Sequence, residues 1–470
     1  MIIYKNVDYG IYAYQIGFFK VKRIGEIVWS DHYDSKNEKF YLRIEGFYVA
    51  EERRRHGLGR KLLNKTIKQN LNENYPYMIV YPKTFGEKIL KDNETLYRIY
   101  EHLKFYFTEE MVEEIREQIK HFCTLRFTED ELDYLENVKW IKGSYVDFLR
   151  LWQARYADFK ITTDAECGLS IETFGTWLNT SMYEIPTLAI VNEVYFRMAY
   201  DYDELLDSFK ERLAAKVAAL EAEDNGTNTV YHLGSFSEFG LRRRLSAEAQ
   251  ELAVKALSEA DYKGNSLFVG TSNVYLAKKY NLTPVGTMAH EWIMCTGQGN
   301  HKHNPAYSNW YALDAWVREY GILNGIALTD AITTDCFLKD FQLTYATLFG
   351  GVRHDSGDPY AWGEKMLKHY ESLGIDARNK TLLFSDSLDF DRADKLYRYF
   401  NGRAKVAFGI GTYISNDTKV PALNIVMKTT KCNGMDVAKI SDNPGKGMCK
   451  NPEYVEYLQR CIDWRMNNDR

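Results

Sequence analysis

The stretch Gly350-Gly-Val-Arg-His-Asp-Ser-Gly-Asp358 places a short apolar strand candidate, residues 350–353, directly before a polar turn. Asp355 and Asp358 flank the Ser-Gly pair of this turn. Their carboxylates could accept hydrogen bonds from ribose hydroxyls. The alternative role for such residues is to cap a turn or a helix. The stretch therefore predicts a buried strand whose carboxyl end carries either ligand-binding or capping groups.

Apolar runs of similar length occur on both sides of this stretch and alternate with helical patterns. Strand-helix alternation is typical of parallel α/β folds, and this many units predicts a TIM-like barrel. The strand candidates cover residues 230–236, 267–269, 325–329, 350–353, 381–385, 406–410 and 423–428.

Polar segments follow several of these strand candidates. In an α/β barrel the active site lies at the carboxyl ends of the strands, so we expect these segments to meet at one face. They are Glu238-Phe-Gly-Leu-Arg-Arg-Arg244, Gly270-Thr-Ser-Asn273, Gly286-Thr-Met-Ala-His-Glu-Trp292, Arg353-His-Asp-Ser-Gly-Asp358 and Phe408-Gly-Ile-Gly-Thr412.

Each segment alone has an ordinary structural alternative. The glycine turn at residues 408–412 can close backbone N–H groups on a phosphate, but such turns also occur for geometry alone. Arginines 242–244 can hold a pyrophosphate through paired N–H bonds, or form a solvated basic turn. A single histidine such as His290 is more often structural. Only the combination of segments indicates a phosphate-binding site.

Composition excludes several classes of protein. The net charge is -5 and the pI is about 6.1, so the chain lacks the basic balance of a nucleic-acid-binding protein. Its seven cysteines show no CxxC spacing, which argues against both a zinc site and a disulfide framework. No apolar run has the length of a signal peptide or membrane span. We therefore expect a cytoplasmic protein with reduced thiols and no nucleic-acid or membrane partner.

Taken together, the barrel segments resemble the nicotinate phosphoribosyltransferase family from about residue 109 to the end of the chain. The resemblance implies an irregular α/β barrel preceded by a helical and β N-terminal domain, assembled as a homodimer with sites at the interface. Further matching stretches are Glu184-Ile-Pro-Thr-Leu-Ala189, Gly325-Ile-Ala-Leu-Thr-Asp330, Trp362-Gly-Glu-Lys365, Phe384-Ser-Asp386 and Lys439-Ile-Ser-Asp-Asn-Pro-Gly-Lys446.

The resemblance implies substrates and residue roles. The enzyme would make nicotinate mononucleotide from nicotinate and phosphoribosyl pyrophosphate with Mg2+ and ATP, the first step from nicotinate to NAD. His290 would be phosphorylated transiently by ATP, and Arg353 would face the nicotinate. The other substrate-binding roles fall to Phe239 against the pyridine ring, Arg242 on the pyrophosphate, Asp355 on the ribose, Gly409, Gly411 and Thr412 around the 5′-phosphate, and Thr271 and Asp386.

Ser272 bears on the choice of substrate. In related enzymes that use nicotinamide, the corresponding position carries an aspartate, which accepts a bond from the amide NH2. A serine hydroxyl can instead donate to a carboxylate, and discrimination through buried polar groups can be large. We therefore expect nicotinate to be preferred over nicotinamide.

Residues 1–107 resemble a GNAT-type N-acetyltransferase module. Arg54-Arg-His-Gly57-Leu-Gly59 fits the R-x-x-G-x-G loop, whose backbone amides hold the pyrophosphate of acetyl-CoA at a helix N-terminus. The resemblance implies that Asn93 contacts CoA and that Tyr100 is the general acid for the leaving thiolate. The module is short, because the strands expected after residue 105 are missing.

The two resemblances meet near residue 108, where the acetyltransferase-like part lacks its last strands and the transferase-like part lacks its first segment. The Thr-Asp-x-Tyr-Lys segment that opens complete transferases, and that supplies a tyrosine to the neighbouring subunit, is not found. Either the fusion is natural and the module functions, or the module is a remnant joined to a truncated transferase; the second explanation is favoured. The expected domains are residues 1–107, 108–229 and 230–470.

Two other functions remain open. Quinolinate phosphoribosyltransferase needs no ATP, and both the segment around His290 and Ser272 argue against it. A catalytically impaired nicotinate- or nucleotide-binding protein with an acetyltransferase-like appendage is the second alternative. The missing tyrosine segment favours it, whereas the intact barrel segments disfavour it.

Overall fold

The computed structural model describes residues 107–163, 168–222, 231–442, 449 and 451–468 with their side chains, and the backbone of five strands between residues 2 and 80. The chain divides into two compact units. The first comprises Met1–Glu109 with Ile161–Ser170, and the second comprises Glu110–Lys160 with Ile171–Arg470. The three-domain division expected from the sequence stays a prediction.

The first unit contains a five-stranded sheet with the strands in chain order. Four of them pair antiparallel, and the fifth pairs parallel to the fourth. The predicted acetyl-CoA residues Arg54, Gly57, Gly59, Asn93 and Tyr100 lie outside the described residues. The strands are β1 Ile2–Val7, β2 Gly10–Ile16, β3 Val21–Asp34, β4 Lys39–Val49 and β5 Met78–Val80.

Helices dominate the chain from residue 109 to residue 221. The first one is amphipathic, and Met111, Val112, Ile115 and Ile119 form its buried stripe, as their spacing predicts. The bounds are α1 Glu109–Phe122, α2 Glu129–Glu136, α3 Gly143–Leu151, α4 Trp177–Thr180, α5 Glu184–Ala199 and α6 Tyr202–Glu221, with strands β6 Phe159–Thr163 and β7 Leu169–Thr173 between α3 and α4.

A parallel sheet of seven strands forms the centre of the second unit, as the alternating pattern predicts. Large aromatic side chains from these strands, including Phe236, Phe384 and Phe408, are fully buried. Strands buried on both faces read as nearly continuous apolar runs, which explains why they are visible in the sequence. The strands are β8 Gly234–Glu238, β9 Ser266–Thr271, β10 Thr283–Pro284, β11 Ile326–Leu328, β12 Gly351–His354, β13 Thr381–Phe384 and β14 Lys405–Ile410.

The order of these strands is that of an α/β barrel. The sheet runs β10-β9-β8-β14-β13-β12-β11, so the last strand in sequence, β14, pairs with the first, β8. Each strand therefore lies beside its sequence neighbours around a ring, with the opening between β10 and β11. Because every pairing is parallel, all carboxyl ends face the same rim of the sheet. This half-barrel confirms the expected α/β class.

Helices connect the strands of the half-barrel. Asp358, one of the two carboxylates of the opening stretch, caps the helix after β12 by accepting a bond from Ala361 N at 2.7 Å. None of the described helices is long and apolar enough to cross a membrane. The bounds are α7 Ala247–Glu259, α8 Val274–Lys279, α9 His290–Gln298, α10 Ser308–Tyr320, α11 Thr334–Asp340, α12 Leu343–Leu348, α13 Pro359–Ser372, α14 Phe390–Phe400, α15 Thr412–Ser415 and α16 Pro452–Asn467.

The seventh strand candidate, residues 423–428, is wrong: these residues are not in a strand. Leu423 is buried, but Val426 is 39% exposed, so the apolar side chains do not share one environment. Asn424 instead accepts a bond from the Arg243 guanidinium at 3.1 Å. A short apolar run cannot show by periodicity alone whether it forms a buried strand or an irregular segment that is buried only in part.

Candidate functional site

The end of strand β8 introduces the aromatic side chain predicted to contact a flat substrate. Phe239 follows the fully buried Glu238, and its backbone N–H donates to Ile410 O at the end of β14 at 2.8 Å. A Cβ added to Gly409 would lie 2.4 Å from Cδ2 of Phe239. Gly409 is therefore required by the phenyl ring that packs on it, which adds a second reason for glycine beside the predicted phosphate contact.

Glu238 organises the start of this loop. Its carboxylate accepts bonds from Thr271 Oγ1 at 2.6 Å, from Gln250 Nε2 at 2.9 Å and from the backbone N–H of Gly240. Burial raises the pKa of Glu238, and the three donors oppose that effect. Thr271, a predicted substrate-binding residue, is fully buried and directs its hydroxyl to Glu238.

Ser272 stands next to this pair at the end of β9. Its backbone N–H donates to Glu238 O at 2.7 Å, which holds it beside Phe239. Its hydroxyl is buried and has no hydrogen-bond partner among the described residues. An unpartnered buried hydroxyl is costly unless a ligand or water completes it. We use the name ring pocket for Phe239, Ser272 and Gly409.

A cavity of about 240 Å³ extends into the barrel interior beside Phe239. Its walls are mainly apolar, and hydroxyl groups enter it from Ser237 and Thr287. A space of this kind suits a small flat ring carrying one polar group. The lining includes Trp140, Ser237, Phe239, Thr287, Leu383 and Phe408.

His290 opens helix α9 and is only 5% exposed. Its Nε2 lies 3.0 Å from Asp330 Oδ1 and 3.6 Å from Asp355 Oδ2. The other oxygen of Asp330 accepts bonds from Ser356 Oγ at 2.5 Å and from Lys439 Nζ at 2.9 Å. We use the name histidine network for these five residues: His290, Asp330, Asp355, Ser356 and Lys439.

The charges of the histidine network follow from burial and pairing. Burial lowers the pKa of His290, and the hydrogen bond and charge of Asp330 only partly offset this. Burial would raise the pKa of Asp330, but the bond from His290 and the charges of His290 and Lys439 hold it well below its usual value. Since Lys439 already supplies a positive partner, the consistent state at neutral pH is an ionised Asp330 with a neutral imidazole.

Arg353 near the end of β12 and Asp355 just after it form a second, partly buried ion pair. Arg353 Nη2 lies 2.9 Å from Asp355 Oδ1, and its remaining donors reach Ser385 Oγ at 3.0 Å and the hydroxyl of Thr287. Burial opposes ionisation of Asp355, but Arg353 and His290 lower its pKa to about 2. The pair thus joins the histidine network to the end of β13 and to the cavity wall.

A basic turn lies opposite these carboxylates. Arg242 Nη1 bonds Glu184 Oε1 on α5 at 3.0 Å. Burial, followed by repulsion from Arg242, lowers the pKa of Arg243 to about 10, while Asp355 and Asp386 attract its charge. Burial likewise lowers the pKa of Lys428, which interacts with Glu184 and Arg242. Cations therefore face carboxylates across the rim, as a site for an anion bound beside a sugar requires.

The remaining predicted residues lie at the ends of the next two strands. Asp386 follows β13 and accepts a bond from Ser387 Oγ at 3.0 Å. Gly411 and Thr412 follow β14, where Thr412 begins the four-residue helix α15. Because β8, β13 and β14 are hydrogen-bonded neighbours, these residues share the rim with Phe239.

Several residues of the site were not singled out from the sequence as functional. Asp330 and Lys439 lie in stretches noted only for family resemblance, and Glu184 and Lys428 contact the basic turn from outside the barrel strands. Asp330 carries a signal that could have identified it, because it follows a buried strand as Asp355 does. Lys428 has none, since only the folded chain buries it there.

Three ligand atoms, from His290, Asp330 and Asp355, lie within 4.8 Å of one another and could hold a metal ion. Both oxygens of Asp330 are already occupied by internal donors. Asp355 Oδ2 faces His290 at 3.6 Å, and the Asp355 side chain is 23% exposed. A hard cation such as Mg2+ prefers one or two carboxylates together with substrate phosphates, so Asp355 fits it best.

Family models match three parts of the chain. The nicotinate phosphoribosyltransferase (NAPRTase) family matches residues 235–464, and its N-terminal domain matches residues 84–192. The second match begins earlier than the expected residue 109. The acetyltransferase (GNAT) family matches residues 13–105, in agreement with the resemblance of the first hundred residues.

Nicotinate phosphoribosyltransferases are similar over most of the chain. The enzyme from Ralstonia nicotianae is 45% identical, and the match covers 74% of this chain and 87% of the relative. The enzyme from Acinetobacter baylyi is 44% identical, and the match covers 75% of this chain and 85% of the relative. The crystal structure of the Vibrio cholerae nicotinate phosphoribosyltransferase has a TM-score of 0.68 at 35% identity and covers 76% of this chain and 86% of that one. The crystal structure of the Porphyromonas gingivalis enzyme has a TM-score of 0.67 at 32% identity, and it covers 77% of this chain and 90% of that one.

Proposed function

Because the chain belongs to the nicotinate phosphoribosyltransferase family, we propose that the rim of its half-barrel joins nicotinate to phosphoribosyl pyrophosphate in a reaction coupled to ATP hydrolysis. The observation that carries the proposal is the buried imidazole of His290, held by Asp330 and adjacent to the Arg353–Asp355 pair. A quinolinate-specific enzyme would have no use for such a histidine, because its reaction needs no ATP.

His290 would accept the γ-phosphoryl group of ATP on Nδ1. Its Nε2 is engaged by Asp330, so in the neutral ring Nε2–H donates and the Nδ1 lone pair is available. Attack by Nδ1 forms the N–P bond while the bond from phosphorus to the β–γ bridging oxygen breaks and ADP leaves. The Nε2–H bond to ionised Asp330 then stabilises the positive charge of the phosphorylated ring, and water later releases inorganic phosphate.

The ring pocket would hold nicotinate. Phe239 offers its face to the pyridine ring, and offset stacking of two aromatic rings contributes roughly 1 kcal/mol beyond area burial. The Ser272 hydroxyl, which has no partner among the described residues, can donate to the nicotinate carboxylate. Arg353 donates to the hydroxyl of Thr287, which lines the cavity, and its positive charge would favour an acid over an amide.

The basic turn and the strand ends would hold the phosphoribosyl part. Arg242 and Lys428 suit the pyrophosphate, Asp355 and Asp386 suit the ribose hydroxyls, and Gly411 with Thr412 suit the 5′-phosphate. Mg2+, when bound by Asp355 together with the pyrophosphate, would neutralise charge on the leaving group.

The chemistry then requires positioning more than covalent assistance. As the bond between ribose C1 and the pyrophosphate oxygen breaks, the sugar takes on oxocarbenium character and the pyridine nitrogen supplies its electron pair to C1. Arg242 and Lys428 stabilise the negative charge that moves onto pyrophosphate. Stacking on Phe239 keeps the nitrogen in line with C1.

The test is to mix the protein with nicotinate, phosphoribosyl pyrophosphate, Mg2+ and ATP and to follow nicotinate mononucleotide and ADP. Product with ATP hydrolysis is expected. Tight binding of nicotinate without turnover would favour the impaired binding protein, and turnover of quinolinate would favour the other transferase. A steady-state comparison with nicotinamide checks the choice of substrate, and faster turnover of the amide would contradict the role of Ser272.

Acetyl-CoA binding by the N-terminal module and homodimer formation stay separate predictions. A thermal-shift measurement with acetyl-CoA, with desulfo-CoA lacking the reactive group as a comparison, tests the first through the stabilisation that any bound ligand confers. Sedimentation equilibrium of the full chain tests the second, and a single species of 54.8 kDa would contradict it.

A further inference from the structure

Helix α16 carries an aromatic and basic stripe. Leu458 and Ile462 face the core and pack with Ile332 and Ala438. On another side of the helix, the spacing of three, four and seven residues from Tyr457 brings Arg460, Cys461 and Trp464 into line. Tyr457 is 44% exposed and Trp464 is 49% exposed. This stripe is one wall of a groove.

The connection between α9 and α10 forms the other wall. Lys302, His303, Asn304 and Pro305 line it, and with the helix stripe they border an open groove of about 480 Å³. His303 is held rigidly: its ring stacks on Tyr311 at a centroid distance of 3.6 Å. Its Nδ1 also bonds Thr296 O at 2.9 Å. The groove is thus bounded by positioned groups, and its volume is typical of small-molecule sites.

The charge of the groove is positive. Lys302 and Arg460 are both exposed, and neither has an ion-pair partner among the described residues. None of the described residues that line the groove carries a carboxylate. Asp463 is on the same helix but does not line the groove, and it accepts a bond from Gln459 at 2.9 Å. In a chain of net charge -5, such a local excess of cations favours an anionic ligand.

The combination of flat rings and unpaired cations defines the ligand class. The half-exposed indole of Trp464 lines the groove, and an indole can stack on a heterocycle. The guanidinium of Arg460 and the ammonium of Lys302 suit a phosphate. We propose that the groove between α16 and residues 302–305 binds a mononucleotide, a flat heterocycle that carries a phosphate, at a place separate from the rim of the half-barrel.

Cys461 provides a readout inside the groove. We would measure the rate at which N-ethylmaleimide alkylates this thiol, by peptide mass spectrometry of the full-length protein, with and without AMP. A ligand at ten times its dissociation constant should slow alkylation about tenfold, because it leaves roughly one site in eleven free. Cys123, which is partly exposed and does not line the groove, serves as the internal control and should react at an unchanged rate.

Three further ligands show whether the heterocycle, the phosphate or both together protect Cys461 from alkylation. Nicotinate mononucleotide should protect as AMP does, whereas nicotinate and inorganic phosphate should protect much less, since each supplies only half of the recognised chemistry. Equal protection by inorganic phosphate alone, or no protection by either nucleotide, would overturn the proposal. The readout needs no turnover, so it does not depend on the phosphoribosyltransferase activity.

A pair of double variants completes the test. Lys302→Ala with Arg460→Ala should abolish protection by AMP and leave the enzyme activity unchanged. Lys255→Ala with Lys368→Ala removes two exposed lysines that do not line the groove and should keep the protection. If the first variant retained full protection, the cations would have no part in binding and the proposed site would be wrong.

Discussion

The histidine network and the ring pocket lie on one rim but differ in how completely they are bonded. In the histidine network, Asp330 receives three donors within 3.0 Å. In the ring pocket, the buried hydroxyl of Ser272 has no partner among the described residues. The network is therefore preorganised before any ligand arrives, whereas the pocket is completed only by its ligand. A catalytic group gains from fixed partners, and a recognition group gains from unsatisfied ones.

Removing the imidazole of His290 should have the largest effect, because it should abolish the reaction of the histidine network and leave the ring pocket intact. His290→Ala should lower ATP hydrolysis by roughly 10⁴-fold, because it removes the nitrogen that would accept the phosphoryl group. Nicotinate binding at the ring pocket should persist. Acid-labile phosphoenzyme formed from γ-labelled ATP is the measurement, and His121→Ala, an exposed histidine at the end of α1, is the control. Retained hydrolysis would remove His290 from its role.

Changing Ser272 tests the ring pocket. Ser272→Asp places an acceptor and a negative charge where a donor stood, so the ratio of kcat/KM for nicotinate over nicotinamide should fall by roughly 10³-fold. Ser272→Ala is the matched variant, which loses the donor without adding charge and should cause a smaller fall. ATP hydrolysis in the absence of nicotinate should stay near wild type. An unchanged ratio would show that Ser272 does not contact the carboxylate.

Asp330→Asn tests how far the fixed partners matter. We expect phosphoenzyme formation to slow by roughly 10²-fold, since the phosphorylated ring loses its ionised partner. The neutral amide also leaves the buried Lys439 uncompensated, which should destabilise the fold by about 3 kcal/mol. Denaturant unfolding and phosphoenzyme kinetics separate the two effects. Asp335→Asn, at an exposed pair with Lys365, should change neither.

The pH dependence should show the smallest effect. The neutral imidazole is the reactive form, and the pKa of His290 is lowered from 6.5, mainly by burial. Phosphoenzyme formation should therefore be constant through neutral pH and fall only below pH 6.5 as the ring becomes protonated. Because the charge of Asp330 raises that pKa, the Asp330→Asn variant should lose activity at a still lower pH. A fall that begins above pH 7 would contradict the neutral state.

Much of the half-barrel could be predicted from the sequence. Six of the seven strand candidates overlap strands, because these strands are buried on both faces and therefore appear as short apolar runs. The candidate at residues 423–428 failed for a related reason. Leu423 is buried and Val426 is 39% exposed, and a run of six residues cannot show that its burial is only partial.

The site was less completely predicted. His290, Arg353 and Asp355 were identified by their segments, and the structure brings them within direct contact of one another or of a shared partner. Asp330, which raises the pKa of His290, and Lys439, which lowers it, are 109 residues apart and meet only through folding. Lys428 belongs to residues 423–428, which the sequence predicts to be a strand, so its place beside the basic turn could not be predicted.

The sequence by itself determined the fold class, the family and the residue types at the rim, because these depend on local patterns of burial and on short motifs. The tertiary structure alone decided the bond between His290 and Asp330, the low pKa of Asp355 and the buried Ser272 hydroxyl that has no partner among the described residues. Protonation and hydrogen-bond completion depend on distances of about 3 Å between side chains far apart in the chain. Only the packing of the strands around the half-barrel sets those distances.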